Sequence, residues 1–424
     1  MSNLIGVVAA FAEQVFQRKL TLVPNRSVFG YELFPDAVLA SAGTFGHIDV
    51  TQLTEAKTVI DKILSDSDFA VIAPRSGEPD PMVMSPYGGI RAPASGIVRA
   101  LFSSAFLNMY FLGQPLEEST YVRAVLEGLD ELRRAIKGAP VHAYRVSGVA
   151  GISVSDDKRI DLPWGTLRAA PKVPASGYTV LQPRPQTTCL LIQSQLVPVA
   201  FDRLPQPDRK FDPSYQTQLR HADTLFPLSC ALASTDPTHP TAALQTWETT
   251  ILPFQSFNSF GAPFIDKWFV QPTLVDSSIA NVEEWARIID RNHTAAVDLA
   301  ANRLLSAISR RNDVSDSLVD AVIVWENLLG TSHEVTFRVS AALAKMIEAN
   351  PLARRARKKE LTEVYAVRSK LVHGAVVESN KITKSYEIAI GAAIQALRLS
   401  YEKGPDWLGM SSEERSNIIL LEWP

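Results

Sequence analysis

The sequence predicts an α+β chain: a mixed α and β region over residues 1–275, then an all-α helical bundle over 276–424. Two observations predict it. The first is proline. Residues 171–240 hold eleven of the 27 prolines, and none falls between Thr273 and Asn350. Inside a helix the missing N–H and the ring clash cost about 3 kcal/mol. Long helices therefore belong after Thr273, and the proline-rich stretch belongs to edge strands, turns and loops. That stretch also marks a subdivision of the first region near 170–240. The second observation is apolar spacing, which is helical throughout after 275 and changes from segment to segment before it.

Composition narrows the function classes. The 424 residues are 46% hydrophobic and 21% charged, enough for two or three domains with real cores and too apolar for global disorder. Forty-two basic residues against 45 acidic ones give a net charge of -3. That excludes a uniformly basic nucleic-acid coat but not a local basic patch. Cys189 and Cys230 are too few for a disulfide framework or a four-cysteine zinc site. The seven histidines include no HExxH pair, and no metal or cofactor is expected. No apolar run approaches the roughly 18 residues of a membrane span.

In chain order, Leu4, Val7, Phe11 and Val15 fall at helical spacing. The run ends in Ala10-Phe11-Ala12, like a signal cleavage site, but no Lys or Arg precedes it, so it reads as an amphipathic first helix. The expected compartment is the cytoplasm, with both cysteines as thiols. Residues 53–66 read as a short helix and Phe69 to Ala73 as a run of strand length. Tyr87-Gly88-Gly89-Ile90 lacks the spacing of a phosphate-binding loop and reads as a turn between strands. Residues 95–112 and 116–137 read as helices. The second carries Glu117 and Glu118 in its first turn and Arg133, Arg134 and Lys137 in its last, as the helix dipole prefers. Strand-like pieces follow at 141–147, 150–154, 158–168, 188–193 and 196–202. Asp156, Asp157 and Asp161 read as a solvated hairpin rather than a metal site. After 275, helices are expected over 280–311, 315–330, 333–348, 355–373 and 384–402, five with short links.

The stretch that points to chemistry is Glu360 to Gly374. Leu361, Val364, Tyr365, Leu371 and Val372 make an apolar stripe, and Arg368 sits on or beside it. A guanidinium there needs an acid partner or a cleft to look into. His373 stands just before Gly374, a natural residue to end a helix, so it is the last helical position or the cap. Five residues amount to about 140° of helix, so Arg368 and His373 do not stack. They meet only if the helix end is distorted or a second copy faces the first. A histidine near its switching range is suited to acid–base work.

Residues 354–359 read RRARKK, with Arg354, Arg355, Arg357, Lys358 and Lys359 at the start of the same helix. Cations at a helix N-terminus oppose the dipole. Phosphate binding is one reason to keep them there.

An Arg, four residues and a His at a helix end, in a five-helix bundle, resembles the signature of HEPN domains. The string Tyr365-x-x-Arg368-Ser369-x-x-Val372-His373-Gly374 resembles the ApeA-like branch. So do Asp320-x-x-Ile323-x-Trp325-Glu326-Asn327-Leu328-Leu329 and the Glu334-x-x-x-Arg338 pair. The resemblance covers roughly residues 295–400. It implies a metal-independent endoribonuclease, in which an RNA 2′-OH attacks the adjacent phosphate at a site built by two chains of a homodimer. His373 would then be the general acid or base. Arg368 would neutralise the phosphate, with Glu326 pairing either Arg368 or Arg338. Tyr365 and the basic cluster would contact RNA. Ser369 takes a slot where many active members carry Asn, Asp or His. That departure keeps a second reading open, a HEPN module without catalysis that binds RNA, a nucleotide or a protein. Many relatives act as toxins or in antiviral defence by abortive infection. The first 275 residues would then sense a phage-derived or protein trigger.

Overall fold

The computed structural model describes residues 2–17, 50, 53–85, 88–91, 93–115, 117–170, 188–202, 214–259, 274 and 276–422. Residues 171–187 and 203–213 of the proline-rich stretch, with seven of its eleven prolines, lie outside the described residues, as does Tyr87. The fold is α+β, with a sheet in the first half and a helical second half.

Four helices make the first core: α1 (Ser2–Gln17), α2 (Ala56–Leu64), α3 (Ala94–Leu112) and α4 (Glu118–Ile136). α1 buries Leu4, Val8, Phe11 and Val15, with the Phe11 ring set edge-on against Phe102 at 5.1 Å between centroids. The Phe69–Ala73 run is not a strand. The Asp66 carboxylate accepts the Asp68 N–H at 2.9 Å and opens a 3₁₀ turn. The N–H groups of Ile72 and Ala73 then return to the Phe69 carbonyl. Phe69 and Ile72 are fully buried all the same. Local side-chain bonding has overridden the strand reading.

The strands are β1 (Met82–Ser85), β2 (Gly88–Arg91), β3 (Val141–Ala150), β4 (Arg159–Leu162), β5 (Gly165–Ala169), β6 (Cys189–Val197), β7 (Ala200–Asp202), β8 (Leu244–Leu252) and β9 (Gln255–Ser259). A small sheet runs β2-β1-β7 and a larger one β4-β5-β6-β3-β8-β9, with antiparallel pairing throughout. β3 runs on from the expected piece 141–147 to Ala150, but the expected piece 150–154 is not a strand: past Ala150 only Ile152 pairs among the described residues, in a lone parallel bridge to Leu274. The ladder of β3 to β8 shifts register between Gly148 and Val149. The strand ends at Gly151, where φ is +88° and a Cβ would stand 2.2 Å from the Ala242 carbonyl oxygen. The expected strand 158–168 is a hairpin instead, turned at Pro163 and Trp164.

One helix falls inside the stretch assigned to turns: α5 (Ser214–Ala233), with Pro227 in its interior. Its two faces serve two cores. Phe226, Cys230 and Ala233 pack with the sheet residues Val149, Leu167 and Leu191, while Leu225, Leu228 and Leu232 enter the core of the helical half. Burial on both sides offsets the cost of Pro227. Cys189 and Cys230 are buried, and the Cys189 thiol donates to the Ile152 carbonyl at 3.2 Å.

The helical half contains α6 (Asp276–Asn292), α7 (Asp298–Leu305), α8 (Val314–Leu329), α9 (Val335–Ile347), α10 (Pro351–Val372), α11 (Ser379–Lys403), α12 (Pro405–Gly409) and α13 (Ser412–Leu421). The single helix expected over 280–311 is broken after Asn292. Asn292 donates to the Tyr401 carbonyl at 2.8 Å, and the His293 ring bridges the Tyr401 hydroxyl at 2.6 Å and the Asp298 carboxylate at 2.8 Å. These bonds to α11 and α7 fix a corner that local spacing does not show. α8 lies at the centre of the bundle. Its Trp325 is fully buried and donates to the Ala389 carbonyl at 3.1 Å.

Candidate functional site

α10 positions most of the residues singled out by sequence. Its start is well made. The Asn350 side chain accepts the Leu352 N–H at 2.8 Å, and Pro351 follows at the first helical position, where its fixed φ fits. Its end is a Schellman motif. Gly374 (φ +75°) donates to the Leu371 carbonyl at 3.0 Å and Ala375 to the Lys370 carbonyl at 2.9 Å, leaving His373 as the cap.

The helix divides its side chains cleanly. Leu361, Val364, Tyr365 and Val367 are buried and Arg368 is partly buried beside them. Leu352, Arg355, Lys359, Ser369, Lys370 and His373 are exposed. Arg368 and His373 therefore look out of different sides of one regular helix, as five residues of rotation require. The His373 ring is in solvent, bonded to no side chain among the described residues. Val372 and Val376 flank it, exposed at 53% and 101%.

Arg368 faces α8. Its Nη2 lies 3.6 Å from Glu326 Oε2, an ion pair without a close hydrogen bond. Arg368 Nε and the Tyr365 hydroxyl are buried and have no hydrogen-bond partner among the described residues. Tyr365 is 5% exposed, its ring edge-on to Trp325 at 5.7 Å. Its place is in the core, beneath the ion pair rather than on a surface that could stack a base. Burial pushes its phenol far above the ordinary range, Glu326 adds to this and Arg368 opposes it. Burial likewise raises the Glu326 carboxyl, against the pull of Arg368. Arg338, the other partner considered for Glu326, bonds Asn417 instead. Glu334 sits at the left-handed φ of +52° and accepts the Arg338 N–H through its carbonyl.

The turn of α8 that carries Glu326 is held by Arg415, a residue that local spacing does not single out. Arg415 is 1% exposed. Its guanidinium donates to the carbonyls of Leu328 at 2.8 Å and Asn327 at 3.0 Å, and to those of Leu408 and Met410. It thus satisfies the open end of α8, where four carbonyls lack helical partners. Beside it, Ser411 and Glu414 form a capping box at the start of α13. The spacing Ser-x-x-Glu is the signal that could have placed this helix.

Between the end of α8 and the starts of α9 and α13 lies an open cleft of about 600 Å³, lined by Glu326, Gly330, Thr331, Ser332, Val335, Ser411, Ser412 and Glu413. Glu326 belongs both to this cleft and to the Arg368 ion pair.

The basic cluster is not uniform. Arg354 Nε donates to the Glu348 carbonyl at 2.6 Å and Arg357 bonds Glu360 at 3.1 Å. Arg355 and Lys359 are exposed. Lys358 lies over the Phe337 ring of α9, 3.8 Å from its centroid. Among the described residues no group of three or more His, Cys, Asp or Glu is arranged to hold a metal, and no helix is long and apolar enough to cross a membrane. Asp156 and Asp157 stand exposed in a turn. Comparisons with protein-family models, curated proteins and solved structures find no match to this chain.

Proposed function

We propose that the chain is an endoribonuclease of the HEPN type, acting without a metal ion on RNA in a two-chain site. The observation that carries the reading is the end of α10. There an arginine held by a half-buried acid precedes, by about one and a half turns, an exposed histidine whose ring bonds no side chain among the described residues. The reaction needs a base to take the proton of the 2′-OH and an acid to protonate the leaving 5′-oxygen. The 2′-oxygen attacks phosphorus, the bond from phosphorus to the 5′-oxygen breaks, and a cyclic phosphate and a free 5′-OH result. One imidazole serves only one of these roles at a time. A second chain docked over Val372 and Val376 would supply the other imidazole and would cover those exposed side chains. Arg368 would then meet the charge that grows on the phosphoryl oxygens, and its planar fork suits that group. Ser369, exposed on the same face as His373, would donate a hydrogen bond to the phosphate. In this reading the first 275 residues sense a phage-derived or protein trigger, and cleavage serves antiviral defence or a toxin role in the cytoplasm.

The test is RNA cleavage in EDTA by wild type, Arg368→Ala and His373→Ala, with light scattering for mass. Cleavage by wild type alone, by a dimer, supports the proposal. A second reading, a module that binds RNA, a nucleotide or a partner without cutting, is favoured by one residue, Ser369. RNA binding without cleavage, unchanged by His373→Ala, would select it.

A further inference from the structure

Phe337 is the aromatic side chain that stands most out of place on this surface. It is 57% exposed, and no other aromatic appears among the large exposed apolar side chains of the described residues. An exposed ring forgoes the favourable transfer out of water that a buried one gains. The ring is not isolated, however. The Lys358 ammonium sits 3.8 Å from its centroid, a cation–π arrangement. Between Leu352 and Glu363 the helix carries five cations and two carboxylates. Glu360, one of those carboxylates, is already engaged by Arg357. Arg355, three residues before Lys358, and Lys359, next after it, are exposed.

A flat π-face next to fixed positive charge is the combination that holds single-stranded nucleic acid. The base stacks on the ring and its phosphates meet the cations, with no need for a particular sequence. We infer that Phe337 and Lys358 form a stacking platform for one base of single-stranded RNA, with Arg355 and Lys359 on the flanking phosphates. The choice of RNA as occupant rests on the ribonuclease reading of the same helix. Lys358 and His373 are 15 residues apart on α10, about 22 Å at 1.5 Å per residue. The platform therefore anchors the strand away from the bond that is cut. Phe337 was not among the residues the sequence singled out. A phenylalanine at the start of a helix carries no sign of its exposure until the neighbouring helix is placed.

The experiment is fluorescence anisotropy on the full-length chain. The probe is a labelled 2′-O-methyl oligouridine, which lacks the attacking hydroxyl and stays intact, used alone and annealed to its complement. Phe337→Ala should weaken single-strand binding by about 5- to 150-fold, the loss of one stacked base. Phe337→Leu, which keeps apolar bulk without a π-face, should behave the same way, and Phe337→Tyr should restore binding. The annealed probe should bind Phe337→Ala as it binds wild type, because its bases are already stacked. Lys359→Ala should lower the salt dependence by about one phosphate contact, a change of about 0.7 in the logarithmic slope. Wild-type binding that Phe337→Ala leaves unchanged overturns the platform and leaves the ribonuclease reading standing. Binding of neither probe by wild type overturns both. A drop in mass for Phe337→Ala with unchanged RNA binding makes the ring a protein contact and overturns the platform.

Discussion

Two carboxylates six residues apart on α8, Asp320 and Glu326, both face arginine, and they are treated in opposite ways. Asp320 is 1% exposed and saturated. It accepts from Arg303, Arg311 and Ser306, each at 2.7 Å. Burial pushes its carboxyl up, but the bonds from Arg311, Ser306 and Arg303 outweigh this and hold it below its ordinary 3.8. Glu326 has one ion pair at 3.6 Å and lines an open cleft. There burial wins, and the carboxyl sits above its ordinary 4.5. A buried acid with both oxygens engaged, by three donors, is a structural joint, here tying α7 and the turn after it to α8. An acid left half engaged, beside an arginine whose buried Nε has no hydrogen-bond partner among the described residues, keeps capacity for a further group. The difference separates what holds the bundle together from what a substrate could enter.

The largest expected effect tests the open side. Arg368→Ala and His373→Ala should each lower RNA cleavage by about 10²–10⁴-fold, measured by single-turnover assay. Arg368 is a quarter exposed and His373 is in solvent, so urea unfolding should move by less than about 1 kcal/mol. Asp320→Asn should reverse the pattern. It leaves two partly exposed guanidinium groups facing a neutral amide, at about 1–3 kcal/mol for the lost charged hydrogen bonds. If Asp320→Asn instead unfolds like wild type, the contrast between the two acids is wrong. The third prediction concerns pH. A carboxyl whose folded pKa is lowered lends stability above its unfolded pKa and loses it as pH falls, so Asp320 contributes above pH 3.8 and fails below it. A carboxyl whose folded pKa is raised lends stability below its unfolded pKa and loses it as pH rises, so Glu326 contributes below pH 4.5 and loses that contribution above it. Stability measured from pH 3 to 6 should therefore lose a rising limb in Asp320→Asn and a falling limb in Glu326→Gln. The height of each limb is set by the ratio of proton affinities in the folded and unfolded chain, about 1.4 kcal/mol for every tenfold difference.

The same contrast shows how much the sequence discloses. α8, α9, α10 and α11 were legible because their apolar residues recur every three or four positions, and the end of α10 was legible because Gly374 follows His373. The pairing of Arg368 with Glu326 was one of two options, since periodicity places a residue on a face but does not say which neighbour faces it. What stayed hidden depends on contacts distant in the chain. The break at His293 is made by Tyr401, more than 100 residues on. α5 was hidden by Pro227, because local propensity counts the proline and not the two cores that bury the helix on both sides. Strands β8 and β9 gave no local signal that set them apart, although β8 pairs with β3 at the centre of the larger sheet. Arg415 carries no local mark of burial, yet it is buried and bonds the end of α8.

The smallest effect on stability is the sharpest test of the comparison. Glu326→Gln removes a charge whose burial is unfavourable and an ion pair that is long and partly solvated. These changes oppose each other, so unfolding at neutral pH should shift by less than about 1 kcal/mol. Activity should respond more, because the amide no longer attracts Arg368 and the guanidinium is free to take other rotamers. If Glu326 acts only by holding Arg368, it is a positioning residue and the double variant should cut no worse than Arg368→Ala alone. If the two losses instead multiply, Glu326 reaches the substrate on its own through the cleft it lines, and the site extends from the end of α10 to the start of α13.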